Sequence, residues 1–233
     1  MLGRLLKNLA SEAAARAAVD KVKPIVDQGL PAVLNVGGNS KAIAIPQHYA
    51  GWQHLLLDID PKGGAEVVCD ARNLDALAPG QFDAIYCSHN LEHYHHHEVP
   101  KVLTGFAHAL KEDGFAEIRV PDMPAVFRKM LDDDLDIEDF LYDSPAGPIC
   151  VRDVIYGFSR EIAASGNDFF AHKTGFSRKS LRGALLASGF VEVWDAPPLM
   201  LFYELRALAF KRPSTPAQRT LLGIPLDLAG AAR

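Results

Sequence analysis

Between Ala32 and Val120 the chain repeats one pattern: a short, nearly continuous apolar run rich in β-formers, closed by a glycine or an acid. Ala32-Val33-Leu34-Asn35-Val36-Gly37, His54-Leu55-Leu56-Leu57-Asp58, Glu66-Val67-Val68-Cys69-Asp70, Phe82-Asp83-Ala84-Ile85-Tyr86-Cys87 and Phe115-Ala116-Glu117-Ile118-Arg119-Val120 read as strands. A strand that is apolar throughout must be covered on both faces, and the intervening segments are long enough to cross over between parallel neighbours. Residues 99–111 supply one such crossover, with Val102, Leu103, Phe106 and Leu110 on one helical face and Asp113-Gly114 as its end. A helix over 178–188 and two closing strands, 190–194 and 201–210, complete the set. The expected fold is α/β, a seven-stranded and mostly parallel sheet with helices on both faces.

The core domain is set at residues 31–210, and 48% hydrophobic residues in a chain of 233 can fill it. Residues 122–175 break the alternation with an acidic helical stretch (131–141), Ser144-Pro145-Ala146-Gly147-Pro148 and a second helical stretch (151–164), and are read as a cap inserted over the active edge. Residues 211–233, with Pro213, Pro216 and Pro225, are expected to be an extended tail. Residues 1–30 place Leu2, Leu5, Leu6, Leu9 and Ala13 at helical spacing, which predicts an N-terminal helix that packs on the sheet or serves a homodimer. Arg4, Lys7, Glu12, Arg16 and Asp20 interrupt it, leaving no run suited to a signal peptide or a membrane partner. Cys69, Cys87 and Cys150 form no paired motif, so a cytoplasmic chain is expected. A net charge of -5 supplies no field for nucleic acid.

In an open parallel sheet, ligands bind beyond the carboxyl ends of the strands. Gly37-Gly38-Asn39-Ser40 follows the first strand, where glycines allow close approach. Asp58-Ile59-Asp60-Pro61 follows the second and offers a carboxylate to a ribose; Asp70-Ala71 follows the third. Together with Leu34-Asn35-Val36-Gly37, Gly51-Trp52, Val67-Val68-Cys69-Asp70, Leu91-Glu92-His93, Leu110 to Phe115 and Ile118-Arg119-Val120-Pro121, these residues give the chain a resemblance to the Rossmann-like class I S-adenosylmethionine-dependent methyltransferases, nearest the bacterial type-11-like subgroup. The resemblance covers about residues 32–121, with a weaker echo from 175 to 210. It implies S-adenosyl-L-methionine as cofactor, Gly37 and Gly38 beneath its methionine part with Asn39 in the same cofactor-binding turn, Asp58 on the ribose, Ile59 flanking the adenine, and Asp70 and Ala71 at the adenine edge; position alone adds Ser88 at the mouth. Asn39 departs from the family's further glycine, and Pro46 with little helical periodicity up to Trp52 predicts a short or missing first crossover helix. The full glycine fingerprint of nicotinamide enzymes is absent.

Ser88 to His97 holds five of the nine histidines. His89 and His93 stand four apart, as do His93 and His97, a spacing that suits a general base or a metal, while His95-His96-His97 also reads as a solvated helix start. His93, His89 and, from the cap, His172 are the candidate bases for a hydroxyl or amine acceptor. His89 and Asp122 could meet at a magnesium-like ion, but one carboxylate is thin for it and no metal is expected. Ser88-His89-Asn90-Leu91 lacks the Asn/Asp-Pro-Pro-aromatic turn of base-amine methyltransferases, and Cys87 lacks a preceding proline, so base methylation is disfavoured. Tyr142, Arg152, Arg160, His172 and Lys173 could hold a polar small-molecule acceptor, for example a sugar. The alternative, raised by Asn39, is a catalytically inactive cofactor sensor or assembly partner.

Overall fold

The computed structural model describes residues 29–144, 147–199 and 203–226. The expected N-terminal helix lies outside the described residues. The elements run β1 (Ala32–Val36), β2 (Gln53–Asp58), β3 (Val67–Val68), β4 (Phe82–Ser88), α1 (Val99–Ala109), β5 (Leu110–Pro121), α2 (Met123–Asp132), β6 (Phe140–Ser144), β7 (Gly147–Cys150), α3 (Val151–Tyr156), α4 (Ser159–Ser165), α5 (Arg178–Ala187), β8 (Glu192–Ala196), β9 (Glu204–Phe210) and α6 (Pro216–Leu222). Seven strands form one sheet in the order β3-β2-β1-β4-β5-β9-β8, and β6 and β7 form a separate hairpin. The first five are parallel, while β9 is antiparallel to both β5 and β8. The strand order reverses between β1 and β4, the position where the carboxyl edge opens a crevice.

Burial on both faces accounts for the apolar runs. One face packs Leu34, Leu57, Ile85 and Ile118 against Val102 and Phe106 of α1 and Leu185 of α5. The other packs Val33, Tyr86, Phe115 and Leu208 against Tyr49, Leu222 and Ile224. The β1–β2 crossover contains only a 3-10 turn, Gln47–Tyr49, as the proline there predicts. No helix among the described residues is long and apolar enough to cross a membrane.

Several boundaries differ from expectation. Asp122 caps α2, its Oδ1 accepting from the Ala125 amide (3.1 Å), and Pro124 sits in the first turn, so this helix starts directly after β5 rather than at Leu131. It stops at Asp132, and Asp134 has φ +53°, so the acidic run ends the helix instead of carrying it onward. The second helical stretch breaks at Gly157, whose φ is +96° and where an added Cβ would lie 2.0 Å from the Phe170 carbonyl oxygen. β5 begins at Leu110, ahead of Asp113-Gly114. The tail is not extended throughout: Thr215 and Gln218 make a capping box for α6, with Pro216 at its first position, and Leu222 and Ile224 bury against the sheet.

Two Glu-x-Arg triplets, Glu117-Ile118-Arg119 on β5 and Glu204-Leu205-Arg206 on β9, cross-pair inside this layer. Arg119 Nη2 donates to Glu204 Oε2 (2.6 Å) and Arg206 Nε to Glu117 Oε1 (2.7 Å). Arg119 Nη1 also donates to the Tyr86 hydroxyl (2.7 Å), while Tyr49 and His48 donate to Glu117 Oε2 at 3.0 and 2.8 Å. All four charged side chains are buried. Each is paired and hydrogen-bonded, which is the condition for tolerating charge in such a place.

Candidate functional site

A cavity of about 400 Å³ opens at the carboxyl ends of β1 to β4. Gly37, Asn39, Asp58, Ile59 and Asp70 line it, as do His89 and His93. Gly38, Ala71 and Ser88 do not. Gly38 instead lets the Asn35 amide approach, because a Cβ there would lie 2.5 Å from Asn35 Nδ2. Ala71 is buried at the head of a 3-10 turn, and Ser88 ends β4. Gly37 has φ +81°, and its missing Cβ leaves room for the Asn90 side chain, which would otherwise stand 2.5 Å away.

The two acids on this wall differ. Asp58 accepts from the Asp60 amide (2.8 Å), and burial raises its carboxyl above the ordinary value while main-chain hydrogen bonds partly offset that. It retains free acceptor capacity toward the cavity. Asp70 is already clamped by Arg72, whose Nε lies 3.0 and 2.9 Å from its two oxygens, and it caps the following turn. Arg72 bridges onward to Glu98. Ile59 keeps 41% of its surface exposed on the cavity wall, an apolar contact left open there.

Beyond β4, His89 takes a left-handed conformation (φ +49°), its amide donating to the Arg119 carbonyl (2.9 Å). Its ring lies 3.2 Å from Glu204 Oε2 and 3.5 Å from Glu92 Oε1. Burial opposes a charge on this ring, but the two carboxylates overcome it and raise His89 to about 9. At neutral pH it is an imidazolium, which removes it as a general base. His93 spans two carbonyls, with Nδ1 3.1 Å from Ala171 O and Nε2 3.2 Å from His89 O. His172 donates Nδ1–H to the Val154 carbonyl (2.8 Å), which fixes its tautomer and leaves a lone pair on Nε2. Burial lowers this ring below the ordinary histidine value, against the pull of Glu92, so it is neutral near pH 7. The rings of His93 and His172 meet edge to face with centroids 5.0 Å apart.

The segment that follows residue 171 makes that meeting. The Lys173 and Thr174 amides both donate to the Glu92 carbonyl (2.8 and 3.2 Å), holding residues 172–174 against the turn at 91–93. Glu92, 1% exposed, was not singled out from the sequence, because nothing local marks it as buried. A second cavity, about 550 Å³, lies on the far side of His172, lined by Met123, Phe127, Ile155, Tyr156 and Phe176 with His172 and Lys173; Lys173 borders both cavities. The other candidate acceptor-binding residues are engaged elsewhere: Arg152 pairs with Glu138, Arg160 lies over the Phe158 ring, and Tyr142 packs on Tyr203. Asp122 serves as a helix cap.

Residues 27–118 match the model of a family described as a methyltransferase domain. No curated protein sequence matches the chain. Among solved structures, the PH0226 protein of Pyrococcus horikoshii superposes with a TM-score of 0.51 at 13% identity, over 84% of this chain and 91% of that one. This likeness shows the fold. An S-adenosylmethionine-dependent methyltransferase from Archaeoglobus fulgidus gives a TM-score of 0.48 at 15% identity, covering 86% of this chain and 95% of that one. The 1,6-didemethyltoxoflavin-N1-methyltransferase of Burkholderia thailandensis gives 0.44 at 20% identity, covering 87% and 80%.

Proposed function

We propose that this chain, which carries a methyltransferase domain of the S-adenosylmethionine-dependent class I type, binds its cofactor in the 400 Å³ cavity and methylates a hydroxyl or amine of a small molecule received in the adjoining one. The observation that carries the reading is Asp58, a half-buried carboxylate with free acceptor capacity at the end of β2, facing the cavity beside Gly37 and Ile59. Asp58 receives the ribose hydroxyls, Ile59 covers the adenine, and Gly37 lets the main chain approach the methionine part. The Arg72 clamp makes Asp70 chiefly the residue that shapes the adenine wall. When bound, S-adenosylmethionine supplies an electrophilic methyl group on sulfur. The protein's part is to align the acceptor in line with it and exclude water.

The acceptor's proton is handled by the group of Glu92, His93 and His172 standing between the two cavities. Within it His172 comes first, because its Nε2 keeps a free lone pair while both His93 nitrogens face carbonyls. The second cavity sets Met123, Phe127, Ile155 and Phe176 beside Lys173, Thr174, Ser177 and Ser180, which suits a small molecule with an apolar body and polar substituents.

Asp58→Ala should weaken S-adenosylhomocysteine binding by about 1–3 kcal/mol, the scale for hydrogen bonds to a charged group. Calorimetry checks this, and an unchanged affinity removes Asp58 from the site. Turnover is tested by incubating the protein with S-adenosylmethionine and pools of phenols, hydroxy acids, amines and sugars while measuring release of S-adenosylhomocysteine. Acceptor-dependent release supports the enzyme. Tight cofactor binding with no release from any pool, a cell lysate included, favours the sensor.

A further inference from the structure

The structure assigns a second ligand to the junction of the two cavities: we propose that Glu92, His93 and His172 form a binding site for a divalent transition-metal ion. One ligand atom from each of the three lies within 4.8 Å of the others. Glu92 is 1% exposed, and neither of its carboxylate oxygens has a hydrogen-bond partner among the described residues. The nearest ring nitrogens are His89 Nδ1 at 3.5 Å and His172 Nε2 at 4.0 Å, both beyond good hydrogen-bond length. The charged His89 ring offsets part of this carboxylate's charge, but no N–H reaches either oxygen at bonding length, and a buried carboxylate so placed is completed by a cation bound directly to it.

The arrangement of His172 points to the same ion. Its Nδ1–H is spent on the Val154 carbonyl, so in the neutral ring the nitrogen that faces Glu92 carries a lone pair. Lone pair and carboxylate therefore confront each other with no hydrogen between them. A metal ion between them resolves the conflict, and the carbonyl-bound far nitrogen is the outer-shell arrangement that metal-ligating histidines use. His93 also has a carbonyl at each nitrogen; taking up the ion requires it to exchange one of these for the metal and keep the other as its outer-shell bond.

Two imidazoles and one carboxylate with further positions open suit zinc, cobalt or iron(II) rather than magnesium, which prefers an oxygen shell. With the ion bound, His172 Nε2 is a ligand and no longer a base, and the ion takes over the proton step: it can bind the acceptor's oxygen or nitrogen and lower its pKa, the proton leaving to solvent. That use rests on the methyl-transfer proposal, whereas metal uptake does not. The site also differs from the pairing of His89 with Asp122 considered from the sequence, since Asp122 is committed to its helix.

The experiment is Zn²⁺ equilibrium dialysis and Co²⁺ absorption titration of untagged, chelator-stripped protein without cofactor. A His95→Ala/His96→Ala/His97→Ala variant removes the exposed histidine run as a competing binder. The wild type and this triple variant should each bind one equivalent, and Co²⁺ should develop the visible bands of a low-coordinate nitrogen and oxygen site. His172→Ala and Glu92→Gln should each weaken uptake by about 100-fold or more, at least the cost of losing an outer-shell partner, while S-adenosylhomocysteine affinity stays near the wild-type value. Loss of the metal in the triple variant, or unchanged uptake in a folded His172→Ala protein, overturns the site. Because the readout needs no turnover, an inactive protein that still binds metal would count against the methyl-transfer proposal and not against the site.

Discussion

His172→Ala is expected to lower turnover by about 10² to 10⁴-fold while leaving cofactor affinity nearly unchanged, the range for removing a group that handles a proton in the transition state. The separation of the two effects follows from position. His172 lines the second cavity and not the one that holds Gly37, Asp58 and Ile59. The backbone bonds that place it, from Lys173 and Thr174 to the Glu92 carbonyl, involve no side chain and survive the substitution. Steady-state kinetics with S-adenosylhomocysteine release as the signal, together with calorimetric affinity, measures both. A variant that keeps more than about a tenth of wild-type turnover would mean that alignment alone drives transfer. His89→Gln is a useful comparison: it removes the charge facing Glu204 and Glu92, so it should disturb stability more than the proton step.

Glu117→Ala should destabilise the fold by about 3–5 kcal/mol, because it strands the buried Arg206 guanidinium and leaves the Tyr49 hydroxyl without its acceptor. Urea denaturation should show a lower midpoint with little change in slope. A double variant, Glu117→Leu with Arg206→Met, should recover much of the loss, since an apolar pair of similar volume carries no stranded charge. A cost under about 1 kcal/mol for the single change would mean that solvent reaches this layer.

The same carboxylate sets an acid limit. Burial alone would raise Glu117, but the hydrogen bond from His48 and the charge of Arg206 hold it below the ordinary glutamate value. A folded-state pKa below the unfolded one contributes stability that is present above the unfolded pKa, about 4.3, and is lost as pH falls through the folded value. Thermal melts should therefore drop as the pH is lowered below about 4.3, and the drop should be shallower in Glu117→Gln.

The sheet was legible because its strands are buried on both faces and so leave uninterrupted apolar runs; Gly37, Asp58 and Asp70 were legible because strand order alone puts them on one edge. The Arg72 clamp on Asp70 was not, since it depends on a turn conformation rather than on composition. The Glu92 group was hidden for a different reason. His93 and His172 are brought together by a backbone pairing between distant segments, and Leu91-Glu92-His93 reads like any turn until its carboxylate is seen to be buried. The paired Glu-x-Arg triplets did leave a signal, a shared spacing on β5 and β9, but their pairing depends on the antiparallel register that sets Arg119 opposite Arg206 and each arginine diagonal to the other strand's glutamate. The T-P-x-Q capping box of α6 was equally present in the sequence and was outweighed by the prolines around it.

The claim that β1 to β4 build a cofactor pocket is tested most directly by titrating the wild-type protein with S-adenosylhomocysteine in a calorimeter, with a nicotinamide dinucleotide as comparison. The account predicts saturable binding of one equivalent per chain for the first ligand and no heat for the second. No binding of S-adenosylhomocysteine, or tighter binding of the dinucleotide, would contradict it.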